Sequence, residues 1–198
     1  MARRSRRRKR NVWPGLLAGL GVILVGVAIG IYARRATSQP VTETTSSGKP
    51  PINQPARVNL PVPDLPELTT LDGEPARLAD LKGKAKVLII NLWATWCPPC
   101  KAEMPDLNAY YQKHKDEGLL LIGINIGEDE AQVRPFVEAY RLSFPIWLDP
   151  KGVSTGAFRT QGLPSTFVID QDWRIRLIWY GRTNLDLLEQ YVTPMLSQ

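Results

Sequence analysis

The chain has 198 residues, 43% of them hydrophobic and 22% charged, a globular composition with room for one ordinary domain and additional segments. Its net charge of +6 is confined to one end: seven bases lie between Arg3 and Arg10 and two more at Arg34 and Arg35, leaving 16 bases against 19 acids in residues 36–198, a net of −3. The basicity is a terminal tag on a mildly acidic chain, which removes the main support for a nucleic-acid role.

Residues 1–11 read as a basic tail. No side chain is charged in "VWPGLLAGLGVILVGVAIGIYA" (12–33), which as a helix would reach about 33 Å, enough for the hydrocarbon core of a bilayer. Seven bases before it and two after it put the tail in the cytoplasm and the rest outside. A cleaved signal peptide would have a shorter apolar region and a small-x-small cleavage site, whereas "ARRA" follows here, so an uncleaved anchor is expected. Cysteine is absent from this region, which argues against a lipid anchor, and the paired arginines lack the apolar residues of a twin-arginine signal.

Residues 34–60 are rich in Pro, Thr and Ser and nearly free of large apolar side chains, as expected of a tether. The folded domain is expected over 61–198. "ELTTLDGEPARLADL" alternates around Asp72-Gly73, a hairpin signal. "KVLIINLWAT" (86–95) and "LLLIGINI" (119–126) are continuous apolar runs, as in strands buried on both faces. Between them "PPCKAEMPDLNAYYQKHKDEG" (98–118) has helical spacing and stops at Gly118. "EDEAQVRPFVEAYRL" (128–142) is a second helix opened by acids, which suit its positive end. A short strand (144–149), a short helix (151–158), an antiparallel strand pair around "QDWR" and a final helix capped at Thr183 or Asn184 complete the chain. This order implies a mixed sheet with helices on both faces.

The chemistry gathers at "WATWCPPCKAEMP" (93–105), which holds both cysteines of the chain, Cys97 and Cys100. A structural zinc takes four Cys or His ligands and an iron–sulfur cluster four thiolates. With two cysteines and one histidine, His114 in a solvated-looking run, no metal site is expected within one chain. Covalent haem attachment needs C-x-x-C-H, and Lys101 follows here. A structural disulfide across two residues closes almost no loop and so constrains the unfolded chain little. As a redox pair, Cys97 would sit near a helix N-cap, where the dipole and an amide donor lower a thiol pKa. Pro98 and Pro99 have no N–H, so Cys100 N–H is the nearest donor left, and only a moderate lowering is expected. Cys100, one turn into the helix, would be the shielded, resolving thiol. The two local readings, bridge and redox pair, both stand on these residues alone.

"NLWATWCPPCKAEMP", "GLPSTFVID" (162–170) and the lead-in "LDGEPARLADLKGKAKVLIINLW" together resemble the TlpA/ResA-like (CcmG-like) membrane-anchored thiol–disulfide oxidoreductases, over roughly residues 60–198. The resemblance implies an α/β thioredoxin fold with an N-terminal β extension and a central βα insertion near 119–142, preceded by one transmembrane helix. It implies that Pro164 is cis and that the Leu163 backbone pairs with extended substrate. Trp96, an apolar collar beside an exposed sulfur, would join Pro98, Pro99, Leu163 and Pro164 in contacting substrate, while Trp93 packs inside. Thioredoxin keeps a buried Asp where this chain has Asn91, which cannot relay a proton, and the resemblance points to Glu128 as the carboxylate near the cysteines. The alternative for Glu128 is a plain helix cap.

No cofactor is implied. Expected partners are proteins with disulfides, apocytochrome c among them, a DsbD/CcdA-type membrane electron donor and the lipid bilayer. The expected activity is reduction of protein disulfides. A disulfide-inserting oxidase and a tethered binding or chaperone-like module using Leu163–Pro164 are the alternatives. A peroxidase would need Thr three residues before its cysteine, and here that residue is Ala94.

Overall fold

Residues 54–197 are described by the computed structural model. The basic tail, the apolar segment 12–33 and most of the 34–60 linker lie outside them. Among the described residues no helix is long and apolar enough to cross a membrane.

The sheet is built around Val87–Trp93 (β4), every residue of which is buried. Its side chains alternate between two cores. Val87, Ile89 and Trp93 enter one core, with Cys97, Cys100, Met104 and Leu107. Leu88, Ile90 and Leu92 enter the other, with Leu65, Leu78, Phe158 and Phe167. Asn91 shares the parity of Ile89 and Trp93 and so points a polar group toward the first core.

Leu119–Ile126 (β5) pairs in parallel with β4, and Ile146–Asp149 (β6) pairs in parallel with β5. Ser165–Asp170 (β7) runs antiparallel to β4, and Arg174–Tyr180 (β8) antiparallel to β7. With Ala56–Pro61 (β1), Leu68–Thr70 (β2) and Pro75–Ala76 (β3), the eight-stranded order is β1-β8-β7-β4-β5-β6-β2-β3. The helices are Pro98–His114 (α1), Glu130–Tyr140 (α2), Val153–Ala157 (α3), Leu185–Tyr191 (α4) and Thr193–Leu196 (α5). Helices α1, α2, α4 and α5 supply the first core, while the N-terminal strands and the end of α3 cover the second.

Three sequence expectations change. Residues 56–60, assigned to the tether, form most of β1. This strand buries little and is held through its backbone pairing with β8 and by Arg174, which donates to Asn59 Oδ1 at 2.9 Å and Asn59 O at 2.7 Å. Hydrophobic pattern cannot reveal a strand held that way. The final helix is two, with Thr193 and Pro194 opening the second. His114, read as solvated, is 3% exposed. It shares a helix face with Tyr110, and its ring nitrogens lie 2.8 Å from Glu117 and 3.1 Å from Glu189.

Candidate redox site

The chain leaves β4 at Trp93 and enters α1 five residues later, at Pro98. Cys97 is the N-cap of α1, with φ −87° and ψ 107°, and Pro98 and Pro99 occupy the first two helical positions, where a missing N–H leaves no helical bond unmade. The Cys100 amide donates to Cys97 Sγ at 3.3 Å, the one first-turn donor that the two prolines leave. Cys97 and Cys100 are joined in a disulfide with S–S 2.07 Å. Cys100 is fully buried and Cys97 is 3% exposed, so the sulfur is less open than the collar picture implied, because both cysteines belong to the first core. Trp96 stands out at 65% exposure, with Pro98 and Pro99 exposed beside it. Trp93 is completely buried.

Across the site the Leu163–Pro164 peptide is cis. Leu163 packs against the core cluster that contains both cysteines. Pro164 O accepts from Gly181 N at 2.8 Å, which ties the loop to the end of β8. Leu163 and Pro164 line an open cleft with Thr160, Ser165 and Tyr180.

Glu128 lies two residues before α2, where Asp129 is the N-cap and forms a capping box with Gln132, so Glu128 is not the cap. It is 4% exposed and turned toward the redox loop. Its carboxylate accepts from the Thr95 amide at 2.7 Å, from the Thr95 hydroxyl and from Asn125 Nδ2 at 2.7 Å. These bonds fix the turn two residues ahead of Cys97.

A second buried carboxyl group, on the helix that carries Cys100, is Glu103, which the sequence motifs do not single out. It lies three residues beyond Cys100 in α1, hence on the same helix face, and is fully buried. Asn91 Nδ2 donates to it at 2.8 Å and Thr183 N at 3.0 Å. Burial pushes its pKa up to about 8, against the pull of the Thr183 and Asn91 hydrogen bonds and of Arg182. Asn91 therefore replaces an acid on the strand with a donor that holds an acid on the helix. The signal was available: a Glu at an apolar-face position of α1, in step with Cys100, Met104 and Leu107.

Comparison with known proteins agrees with this construction. The AhpC/TSA family profile matches residues 58–178. A thiol-disulfide oxidoreductase ResA of Bacillus cereus is 37% identical over 130 residues, covering 64% of this chain and 74% of the relative. The ResA of Geobacillus kaustophilus is 35% identical over 125 residues, covering 63% and 71%. Among solved structures, a thiol:disulfide interchange protein of the thioredoxin family from Chlorobium tepidum TLS superimposes with TM-score 0.60 at 27% identity, over 71% of this chain and 99% of that one. StoA from Bacillus subtilis gives TM-score 0.56 at 27% identity, over 66% and 98%. A sheet of this order, a disulfide at the start of α1 and relatives of this kind place the chain in the AhpC/TSA family, as a thioredoxin-fold thiol–disulfide oxidoreductase similar to ResA.

Proposed function

We propose that the chain reduces disulfides in client proteins outside the cytoplasm, tethered to the membrane by residues 12–33. The observation that carries the direction is the single amide, Cys100 N–H, that faces Cys97 Sγ. A thiolate at a helix N-terminus with several amide donors is strongly stabilised, which stabilises the reduced form and makes the pair an oxidant. With Pro98 and Pro99 supplying no N–H, Cys97 keeps a more nucleophilic, less stabilised thiolate, as suits a reductant.

In the cycle, the Cys97 thiolate attacks one sulfur of the client disulfide. The client's other sulfur leaves as a thiolate and takes a proton from solvent. Cys100 then loses its proton to ionised Glu103 and attacks Cys97 Sγ. The second client sulfur departs, and the pair is left oxidised with the proton held on Glu103. Two electrons pass from the pair to the client. With a pKa of about 8, Glu103 is ionised in a fraction of the molecules at neutral pH, which can take this proton, and neutral in the rest. Glu128 keeps the Cys97 turn in place, and exposed Trp96, Pro98 and Pro99 with Leu163 and Pro164 form the client-contacting rim.

Apocytochrome c is the proposed client class, because its haem-binding cysteines must be reduced before attachment. A DsbD/CcdA-type membrane protein is the proposed electron source. The 22-residue uncharged segment flanked by bases supports the anchor. The midpoint potential of the purified protein tests the direction. A value near about −270 mV supports a reductant, and one near about −120 mV makes it an oxidant and ends the cytochrome reading. Cys100→Ser should trap the client as a mixed disulfide on Cys97, and Cys97→Ser should trap none.

A further inference from the structure

Arg182 follows β8 in the turn that also carries Thr183, and it is 6% exposed. A guanidinium cannot shed its charge, so burying one calls for a partner. Asp106 is that partner, accepting from Nη2 at 3.3 Å. The other two guanidinium nitrogens, Nε and Nη1, are buried and have no hydrogen-bond partner among the described residues. Asp106 lies three residues beyond Glu103, which makes the two carboxyl groups neighbours on α1, about 5–6 Å apart at Cβ. Thr183, next to Arg182 in the chain, gives its amide to Glu103 at 3.0 Å. One buried cation is therefore tied to Asp106 and has donors to spare beside Glu103.

We propose that Arg182 is a positioning residue for the proton step: Asp106 and Glu103 compete for its guanidinium, which stays with Asp106 while Glu103 is neutral and becomes its countercharge when Glu103 ionises. The proposal rests on the exchange of a proton between Glu103 and Cys100. The groups around Glu103 are few. Asn91 from β4 and the Thr183 amide are neutral donors. Arg182 and Asp106 carry charge, and Cys100 acquires it only when reduced. The competition sets the signs. Arg182 draws the ionisation of Glu103 down and Asp106 pushes it up, both against the larger effect of burial. An ion pair turned away from Glu103 would leave its midpoint unmoved by the loss of either partner. A guanidinium shared between the two carboxyl groups moves it in opposite directions.

The test follows the infrared band of the protonated Glu103 carboxyl against pH in the oxidised full-length protein, identified by its disappearance in Glu103→Gln. Arg182→Met should raise the midpoint by at least about one pH unit, the usual scale for a nearby opposite charge. Arg182→Lys should recover most of that shift, and Asp106→Asn should move the midpoint the other way. Equal-signed shifts, or midpoints that do not move while the band is still lost in Glu103→Gln, overturn the role of Arg182 and leave that of Glu103 intact. A band that survives in Glu103→Gln overturns both. Should Arg182→Met fail to fold, Asp106→Asn still decides, because an unchanged or raised midpoint there is incompatible with competition.

Discussion

Replacing Glu103 by Gln removes the buried carboxyl group and keeps its shape. In the fold this group is held neutral, its pKa raised from 4.5 to about 8, chiefly by burial. In the unfolded chain it ionises above about pH 4.5, so in the wild type it favours unfolding progressively as pH rises. The effect begins near pH 4.5, grows by about 1.36 kcal/mol per pH unit, and levels off above about pH 8 at roughly 4–5 kcal/mol. The glutamine of the variant does not titrate. It can accept from only one of the two donors, Asn91 Nδ2 and Thr183 N, at a pH-independent cost of about 1–2 kcal/mol. The variant should therefore be less stable than wild type near pH 4.5 and more stable near pH 8. Urea denaturation of the oxidised proteins at unit steps from about pH 5 to about pH 9 gives the difference curve directly. A flat difference would show that Glu103 is not held neutral, and the proton step assigned to it would fall with that result.

Three other outcomes can be checked on the same protein. Gly123→Ala in β5 would set a Cβ 2.9 Å from Phe144 Cε2 and 3.0 Å from Ile146 Cδ1 and Trp93 Nε1, so the urea midpoint should fall by the equivalent of about 1–3 kcal/mol. An unchanged midpoint would mean that this contact relaxes freely. Glu128→Ala strips the acceptor from the half-buried Thr95 and the buried Asn125 donors, and a stability loss of about 1–3 kcal/mol is expected together with slower disulfide exchange. Wild-type exchange in a folded variant would separate the Thr95 turn from the chemistry. Glu189, although burial opposes it, is drawn down to about 2 by its hydrogen bonds from Lys113, His114 and Thr193. A depressed carboxylate stabilises fully above about pH 4.5 and loses that contribution as pH falls toward 2, so Glu189→Gln should flatten the acid limb of the melting curve. An acid limb as steep as the wild type's would exclude this cluster as its origin.

Much of the fold was legible because its elements announce themselves locally. The largely apolar runs at 86–95 and 119–126 read as strands buried on both faces, and the helix between them is bounded by two prolines and Gly118, which adopts φ 100°. β1 was hidden because its stabilising partner, β8, lies more than a hundred residues away. His114 was hidden for the same reason, since Glu189 on α4 makes it a buried contact.

The site divides along the same line. The spacing of Cys97, Pro98, Pro99 and Cys100 determines a thiol at a helix N-cap and leaves Cys100 N–H to face its sulfur, because proline has no N–H to offer. Which carboxyl group the fold buries on the helix of that pair was beyond the reach of spacing. Glu128 and Glu103 both qualify as acids in one dimension. Tertiary structure turned Glu128 onto Thr95 and Asn125, and sealed Glu103 among Asn91, Thr183 and Arg182. Burial, which moves a carboxyl pKa more than any neighbour in the chain, is a property of the assembled core.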